Sequence, residues 1–333
     1  MSSLESLPGF DASAPVLDVS GLHVSFGQAR VVNGVDLAVA GGRTLAVLGE
    51  SGSGKSVTAR AIMGLVRPPR GTITAGAVRL RGVDLVTLPE EARRRLRATT
   101  IAMVFQDALS ALNPVLSVGY QIAELFRAHR GLSRKEARRR AVEVLDLVRI
   151  PSAARRARDY PHQFSGGMRQ RVGIGLAIAL DPQVIIADEP TTALDVTVQA
   201  QIIRLLGELQ REHGTALVLI THDMGVVADI ADRVAVMYGG RVVEQGGAAE
   251  VYAGPAHPYT EALLGAIPRP ELRGRRLAVI PGAPPDLTGP GDGCRFLPRC
   301  GYGTAACEQA PPAHEIGPGR LTACHEWERV TSS

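Results

Sequence analysis

Gly49-Glu50-Ser51-Gly52-Ser53-Gly54-Lys55-Ser56 matches the pattern G-x-x-x-x-G-K-[ST]. An apolar run, Thr44 to Leu48, precedes it, and Lys55 to Leu65 follows as a predicted helix. Strand, glycine-rich turn and helix form the context in which this pattern cradles phosphate. Glycines let backbone N–H groups turn inward around the anion, and the helix N-terminus adds partial positive charge. Lys55 is expected to reach the β- and γ-phosphates of a nucleoside triphosphate, and the Ser56 hydroxyl to ligate Mg²⁺. Ser51, Gly52, Ser53, Gly54 and Val57 complete the expected cradle.

Working outward, Val16-Leu17-Asp18-Val19 and Val35 to Val39 read as strands by β-branched content and alternation. Further strands are expected near Ala77–Leu80 and Thr100–Phe105. From Val118 to Ile150 the period becomes helical, and Pro151 closes that stretch. Val172 to Leu180 reads as an apolar helix and Val184 to Ala187 as a fully buried strand. Val196–Glu212, Ala216–Ile220 and Val234–Met237 continue the alternation, which predicts an α/β fold with a mostly parallel sheet. Beyond Pro255 the regular patterns fade and Pro and Gly accumulate. A boundary is therefore placed near residue 253, between a first domain over 15–253 and a small, loop-rich C-terminal domain over 254–330.

Composition narrows the classes. A chain of 333 residues with 45% hydrophobic residues can bury a large core, but only 4% are aromatic, so Val, Leu, Ile and Ala must fill it. The net charge of +4 is small, and the arginine runs 93–95 and 138–140 are interleaved with helix formers. They read as solvated helix faces, without the aromatics that stack on single-stranded nucleic acid. The first fifteen residues carry Glu5 and Asp11 and lack the basic-then-apolar layout of a signal peptide. No apolar run approaches the ~18 residues that span a bilayer. A soluble chain is expected, and any membrane role then belongs to separate partner subunits.

Val184-Ile185-Ile186-Ala187-Asp188-Glu189 is the second chemical element. A carboxylate ending a buried strand can face the metal, so Asp188 is a Mg²⁺ partner, and Glu189 is placed to polarise the attacking water. Phe164-Ser165-Gly166-Gly167-Met168-Arg169-Gln170-Arg171 opens the apolar helix, with Ser and two Gly forming a second anion-competent N-terminus. Alone it would be a simple helix cap.

Together these residues resemble the ATP-binding cassette family, whose signature is Leu-Ser-Gly-Gly-Gln. Phe164 and Met168 depart from it, while the Ser-Gly-Gly centre is intact. The resemblance covers about residues 15 to 250. It implies a RecA-like core, an antiparallel β subdomain and a helical subdomain over about 107–165. Gln106 resembles the Q-loop glutamine that senses Mg²⁺ and the attacking water, Ala193-Leu194-Asp195 the D-loop, and His222 the switch histidine that contacts the γ-phosphate. Phe26 sits where the family stacks an aromatic ring on adenine; as a residue beside a strand it would also serve as core. The resemblance implies that Ser165, Gly166 and Gly167 bind ATP held by the opposite subunit of a head-to-tail pair.

Details resemble one subgroup, the ATPase subunits of bacterial dipeptide and oligopeptide importers. Residues 49–58 read GESGSGKSVT, as in their D-type subunit; residues 105–114 read FQDALSALNP and 164–171 FSGGMRQR. His257-Pro258-Tyr259 matches the motif that opens their C-terminal extension, and the tail from Gly293 to Cys300 is also similar. This implies coupling of ATP hydrolysis to peptide uptake at the cytoplasmic face of a bacterial membrane. The implied partners are an F-type second ATPase, two transmembrane permease subunits and an extracytoplasmic substrate-binding protein, with no nucleic acid. The helical segment would grip the permeases. Nickel, glutathione or another small solute is the alternative cargo. A soluble cassette ATPase of translation or DNA repair would usually carry tandem cassettes or long coiled-coil insertions, and neither is present. Lys55, Asp188, Glu189 and His222 argue against a non-catalytic module.

The four cysteines, Cys294, Cys300, Cys307 and Cys324, are spaced C-x5-C-x6-C-x16-C in a segment with little core of its own. Such a segment often needs a covalent or metal staple. Disulfides conflict with a reducing compartment, and zinc usually takes C-x₂₋₄-C knuckles. The peptide-importer resemblance extends to all four cysteines and implies a structural [4Fe–4S] cluster; zinc and unligated thiols are the alternatives.

Overall fold

The computed structural model describes residues 4–192, 194–267, 279–288 and 293–332. Their strands are β1 (Leu17–Phe26), β2 (Ala29–Val39), β3 (Thr44–Leu48), β4 (Thr72–Leu80), β5 (Val83–Asp84), β6 (Ile101–Val104), β7 (Val184–Asp188), β8 (Ala216–Ile220), β9 (Arg233–Tyr238), β10 (Arg241–Gly247), β11 (His314–Gly317) and β12 (Arg320–Thr322). A four-stranded sheet runs β2-β1-β4-β5 and is antiparallel throughout. An eight-stranded sheet runs β11-β12-β10-β9-β3-β8-β7-β6. Its centre, β9 to β6, is parallel.

Every residue of β3, β7 and β8 is buried, as expected of parallel strands covered on both faces. Pleating sends alternate side chains to opposite layers. Leu45 and Val47 join the core under the small sheet, with Val218, Ile220 and Ala235. Ala46 and Leu48 join the core under the helices, with Leu217, Leu219 and Val236. Each fully buried Val, Leu or Ile contributes roughly 1.5–3 kcal/mol over an exposed one.

The helical region differs from the single long period read in the sequence. It forms two helices, Val118–Arg130 and Arg134–Leu147, separated at Gly131 (φ 65°). Gly131 supplies the left-handed C-terminal cap, and Ser133 caps the next helix by accepting from Glu136 N at 3.2 Å. Their apolar stripes face the helix Gly166–Ile178, where a Cβ on Gly175 would lie 3.1 Å from Val144. Glycine there lets the helices approach closely.

The C-terminal region contributes strands that its composition did not announce. β12 pairs with β10 at Glu244↔Thr322 and Gln245↔Leu321, and β11 pairs with β12, so the main sheet continues into the extension. These strands span only three or four residues and take their pairing from the edge of β10.

Candidate functional site

Around the C-terminal ends of the parallel strands the predicted Lys55, Ser56, Gln106, Asp188, Glu189 and His222 come together, in the crevice position where open α/β sheets bind ligands. The phosphate loop joins β3 to the helix Lys55–Ile62. Gly49 has φ 144°, and a Cβ there would fall 2.1 Å from Met237 O. Gly54 has φ 100°, and its Cβ would fall 2.7 Å from Val31 O. Only glycine fits either position. Ser51 and Gly52 are exposed at the tip, Ser53 and Gly54 are buried, and Val57 packs its side chain on the core below the small sheet.

Lys55 is 4% exposed. Its Nζ donates to the carbonyls of Gly49 (2.7 Å) and Glu50 (2.8 Å) and lies 3.4 Å from Ser53 Oγ. Burial lowers its pKa, opposed by the charges of Glu189, Asp188 and Glu50. Ser56 Oγ donates to Asp188 Oδ1 at 2.8 Å. Asp188 is 2% exposed, and burial raises its pKa against that hydrogen bond. A serine hydroxyl beside a buried carboxylate is a hard-oxygen donor pair that fits Mg²⁺, which takes few protein ligands and completes its shell with water and phosphate oxygens.

Glu189 follows with φ 44°, a left-handed backbone rare for a side-chain-bearing residue and frequent at functional sites. Its Oε2 accepts from Gln106 Nε2 (3.1 Å) and Thr192 Oγ1 (3.0 Å), and His222 Nδ1 lies 3.6 Å away. Gln106, Glu189 and His222, each just past the C-terminal end of β6, β7 or β8, thus meet around one carboxylate. Sequence reading placed these three but not Thr192. Gln170 connects this group to the signature helix, donating from Nε2 to Phe105 O at 3.3 Å.

Ser165 caps the helix Gly166–Ile178, its Oγ accepting from Met168 N at 3.4 Å. Ser165 and Gly166 are exposed. A Cβ on Gly167 would lie 2.6 Å from Val198 Cγ1. Asp195 caps the helix Val196–His213 through Val198 N (2.9 Å), while Ala193 of the D-loop tripeptide lies outside the described residues. Phe26 is 36% exposed at the end of β1, and its ring covers Gly71, where a Cβ would lie 2.7 Å from ring carbon Cε1.

The four cysteines are free thiols, Cys307 and Cys324 buried. Burial raises the pKa of Cys294 and Cys300, and it pushes Cys324 up to about 12 with help from the other three sulfurs nearby. Among the described residues no group of three or more His, Cys, Asp or Glu side chains is arranged to hold a metal ion. As placed, the thiols share a neighbourhood but do not form a ligand set for a [4Fe–4S] cluster.

The fold and crevice define a P-loop ATPase of the ATP-binding cassette type. The family model for ABC transporters matches residues 32–192, and that for the oligopeptide/dipeptide transporter C-terminal region matches 243–307. The chain is 48% identical to the oligopeptide transport ATP-binding protein OppD of Salmonella typhimurium (strain LT2), covering 93% of each chain. It is 47% identical to the dipeptide transport ATP-binding protein DppD of Bacillus subtilis (strain 168), covering 90% of this chain and 91% of the relative. Among solved structures, the dimeric cassette MJ0796 in a post-hydrolysis state with ADP and Pi is similar at 29% identity and TM-score 0.62, covering 70% of this chain and 98% of that one. CbiO1 from Clostridium perfringens is similar at 28% identity and TM-score 0.63, covering 72% and 92%. The chain belongs to the ABC transporter family, among the ATP-binding proteins of oligopeptide and dipeptide transporters.

Proposed function

We propose that this chain hydrolyses ATP to drive uptake of dipeptides or oligopeptides. The observation that carries the chemistry is Glu189, ringed by Gln106, Thr192 and His222 beside the Ser56–Asp188 pair. Lys55 neutralises the β- and γ-phosphates, and the amides of Ser51 to Val57 wrap them. Ser56 and Asp188 would hold Mg²⁺, which would neutralise charge on the phosphate oxygens. Glu189 orients the attacking water and draws off its proton. Gln106 and Thr192 fix the carboxylate, and His222 faces the γ-phosphate side. Phe26 stacks on adenine.

Exposure of Ser165 and Gly166 supports a second cassette supplying its signature helix in trans. That subunit is of the F type in this reading, with Asp195 at the joint between the two. Two transmembrane permeases and an extracytoplasmic binding protein complete the assembly at the cytoplasmic face of the membrane. No helix among the described residues is long and apolar enough to cross a bilayer. A groove of about 460 Å³ lined by Phe105, Ala108, Asn113, Gln121 and Gln170 supports permease docking beside Gln106. The domain division is a cassette over 15–253 and an extension over 254–330. Peptide cargo is supported by the C-terminal family match and the named relatives.

A [4Fe–4S] cluster on Cys294, Cys300, Cys307 and Cys324 is the finer part of this reading. Mutual proximity of the thiols and the absence of disulfides support it; the lack of a metal-holding arrangement stands against it. Iron content of anaerobically purified protein decides between the two. For the catalytic reading the test is Glu189→Gln in the assembled transporter. Steady-state hydrolysis should fall by about 10²- to 10⁴-fold, the usual worth of a positioned base, with ATP binding retained. Turnover near the wild-type rate would remove Glu189 from the role.

A further inference from the structure

Two contacts tie the C-terminal region directly to the phosphate loop, and a third reaches it through one intervening residue. Arg299, on the turn between Cys294 and Cys300, has a side chain only 4% exposed. It donates two hydrogen bonds to the carboxylate of Glu50, at 2.7 and 3.0 Å. Its Nε donates to Pro281 O at 2.7 Å, and its guanidinium lies over the Tyr238 ring. Tyr259 is fully buried, and its hydroxyl accepts from Glu50 N at 2.7 Å. Arg295 donates to Gly239 O, and the next amide, Gly240 N, donates to Ser53 O at 3.0 Å.

Glu50 is therefore held at every polar group. Arg299 takes its carboxylate, Tyr259 its amide and Lys55 its carbonyl. Its charge is also among those that act on Lys55. An unpaired carboxylate at the mouth of a polyanion site would repel the ligand and compete for the lysine. The bidentate guanidinium neutralises it and fixes its direction. Tyr259 is itself fixed by Tyr238 and Phe296, with ring centroids 4.5 and 5.4 Å away. His257 Nδ1 accepts from Tyr259 N at 3.0 Å.

We propose that Arg299 and Tyr259 are positioning residues for nucleotide binding. Through Glu50 they make the affinity of the phosphate loop for ATP depend on the folded state of the cysteine-bearing region. The inference rests on the phosphate-loop reading above. Coupling between sites is reciprocal, so bound ATP should in turn steady the turn that carries Cys300.

The test uses the full chain and MgATP. Arg299→Ala should weaken ATP binding about tenfold, within the usual range of coupling between sites. Arg299→Lys should recover part of this, since a lysine keeps the charge and loses the fork. Adding Glu50→Gln to Arg299→Ala should restore most of the affinity, because the stranded charge is gone. ATP should slow maleimide labelling of Cys300 in the wild type and not in Arg299→Ala. Unchanged affinity in folded Arg299→Ala, or further loss on adding Glu50→Gln, would overturn the proposal. If Arg299→Ala fails to fold, Tyr259→Phe removes a single hydroxyl and should still weaken binding several-fold; wild-type affinity there would overturn it equally. Lys55→Ala separates the two readings. If it also binds ATP normally, the phosphate-loop assignment has failed rather than the coupling.

Discussion

His257 should make the chain acid-sensitive, and the size of the effect follows from its surroundings. The ring is 1% exposed, and its Nδ1 accepts the Tyr259 amide, which the protonated ring cannot do. Burial pushes its pKa from 6.5 down to about 3. A histidine held neutral in the fold contributes stability above its unfolded pKa, and that stability is lost as pH falls from 6.5 toward 3, because only the unfolded chain takes up the proton. Integrated between pH 7 and pH 5, the loss is on the order of 2 kcal/mol. His257→Asn keeps a capping oxygen without a titrating group. Denaturant unfolding at both pH values, for wild type and variant, gives the difference directly. Glu244, whose carboxylate accepts from His257 N at 3.0 Å, carries the opposite sign: burial raises its pKa, so acid favours its folded form. It is present in both proteins and cancels in the comparison, as does its partner Arg320. The variant should lose less stability than wild type on acidification. Parallel losses would refute the buried neutral ring.

Lys55→Ala should abolish the ATP-dependent rise in melting temperature, which for wild type at a hundredfold excess over Kd corresponds to about 2.7 kcal/mol. A retained ATP shift would exclude Lys55 from the site. Gly71→Val should displace the Phe26 ring, since even a Cβ lies 2.7 Å from it. The KM for ATP should rise about two- to tenfold, the worth of one aromatic stacking contact, with kcat unchanged; an unaltered KM would return Phe26 to a purely structural role.

The sheet centre was legible because β3, β7 and β8 are buried on both faces, which forces short unbroken apolar runs. The phosphate loop was legible because its glycines sit where a Cβ would strike Met237 or Val31 backbone. Other features rest on long-range contacts that leave no local pattern. The break at Gly131 lies inside one helical period and is marked locally only by the glycine cap itself and the capping of Ser133. Strands β11 and β12 include His314, Glu315, Gly317 and Arg320, poor strand formers that pair because β10 offers an edge. Glu50 and Arg299 are separated by 249 positions, and nothing near either announces the other. His257-Pro258-Tyr259 was visible as a motif, but its reach to Glu50 N was not.

That separation has a consequence for biosynthesis. Chains emerge from the ribosome N-terminus first, at about 5–20 residues per second. The phosphate loop is therefore made about 12–50 seconds before the arginine that secures it. Throughout that interval the nascent cassette has its lysine and glycines but an untethered Glu50. Only translation past Arg299 completes the nucleotide grip, so a product terminated before it would carry every ATP-binding signature and lack the clasp proposed to set its strength.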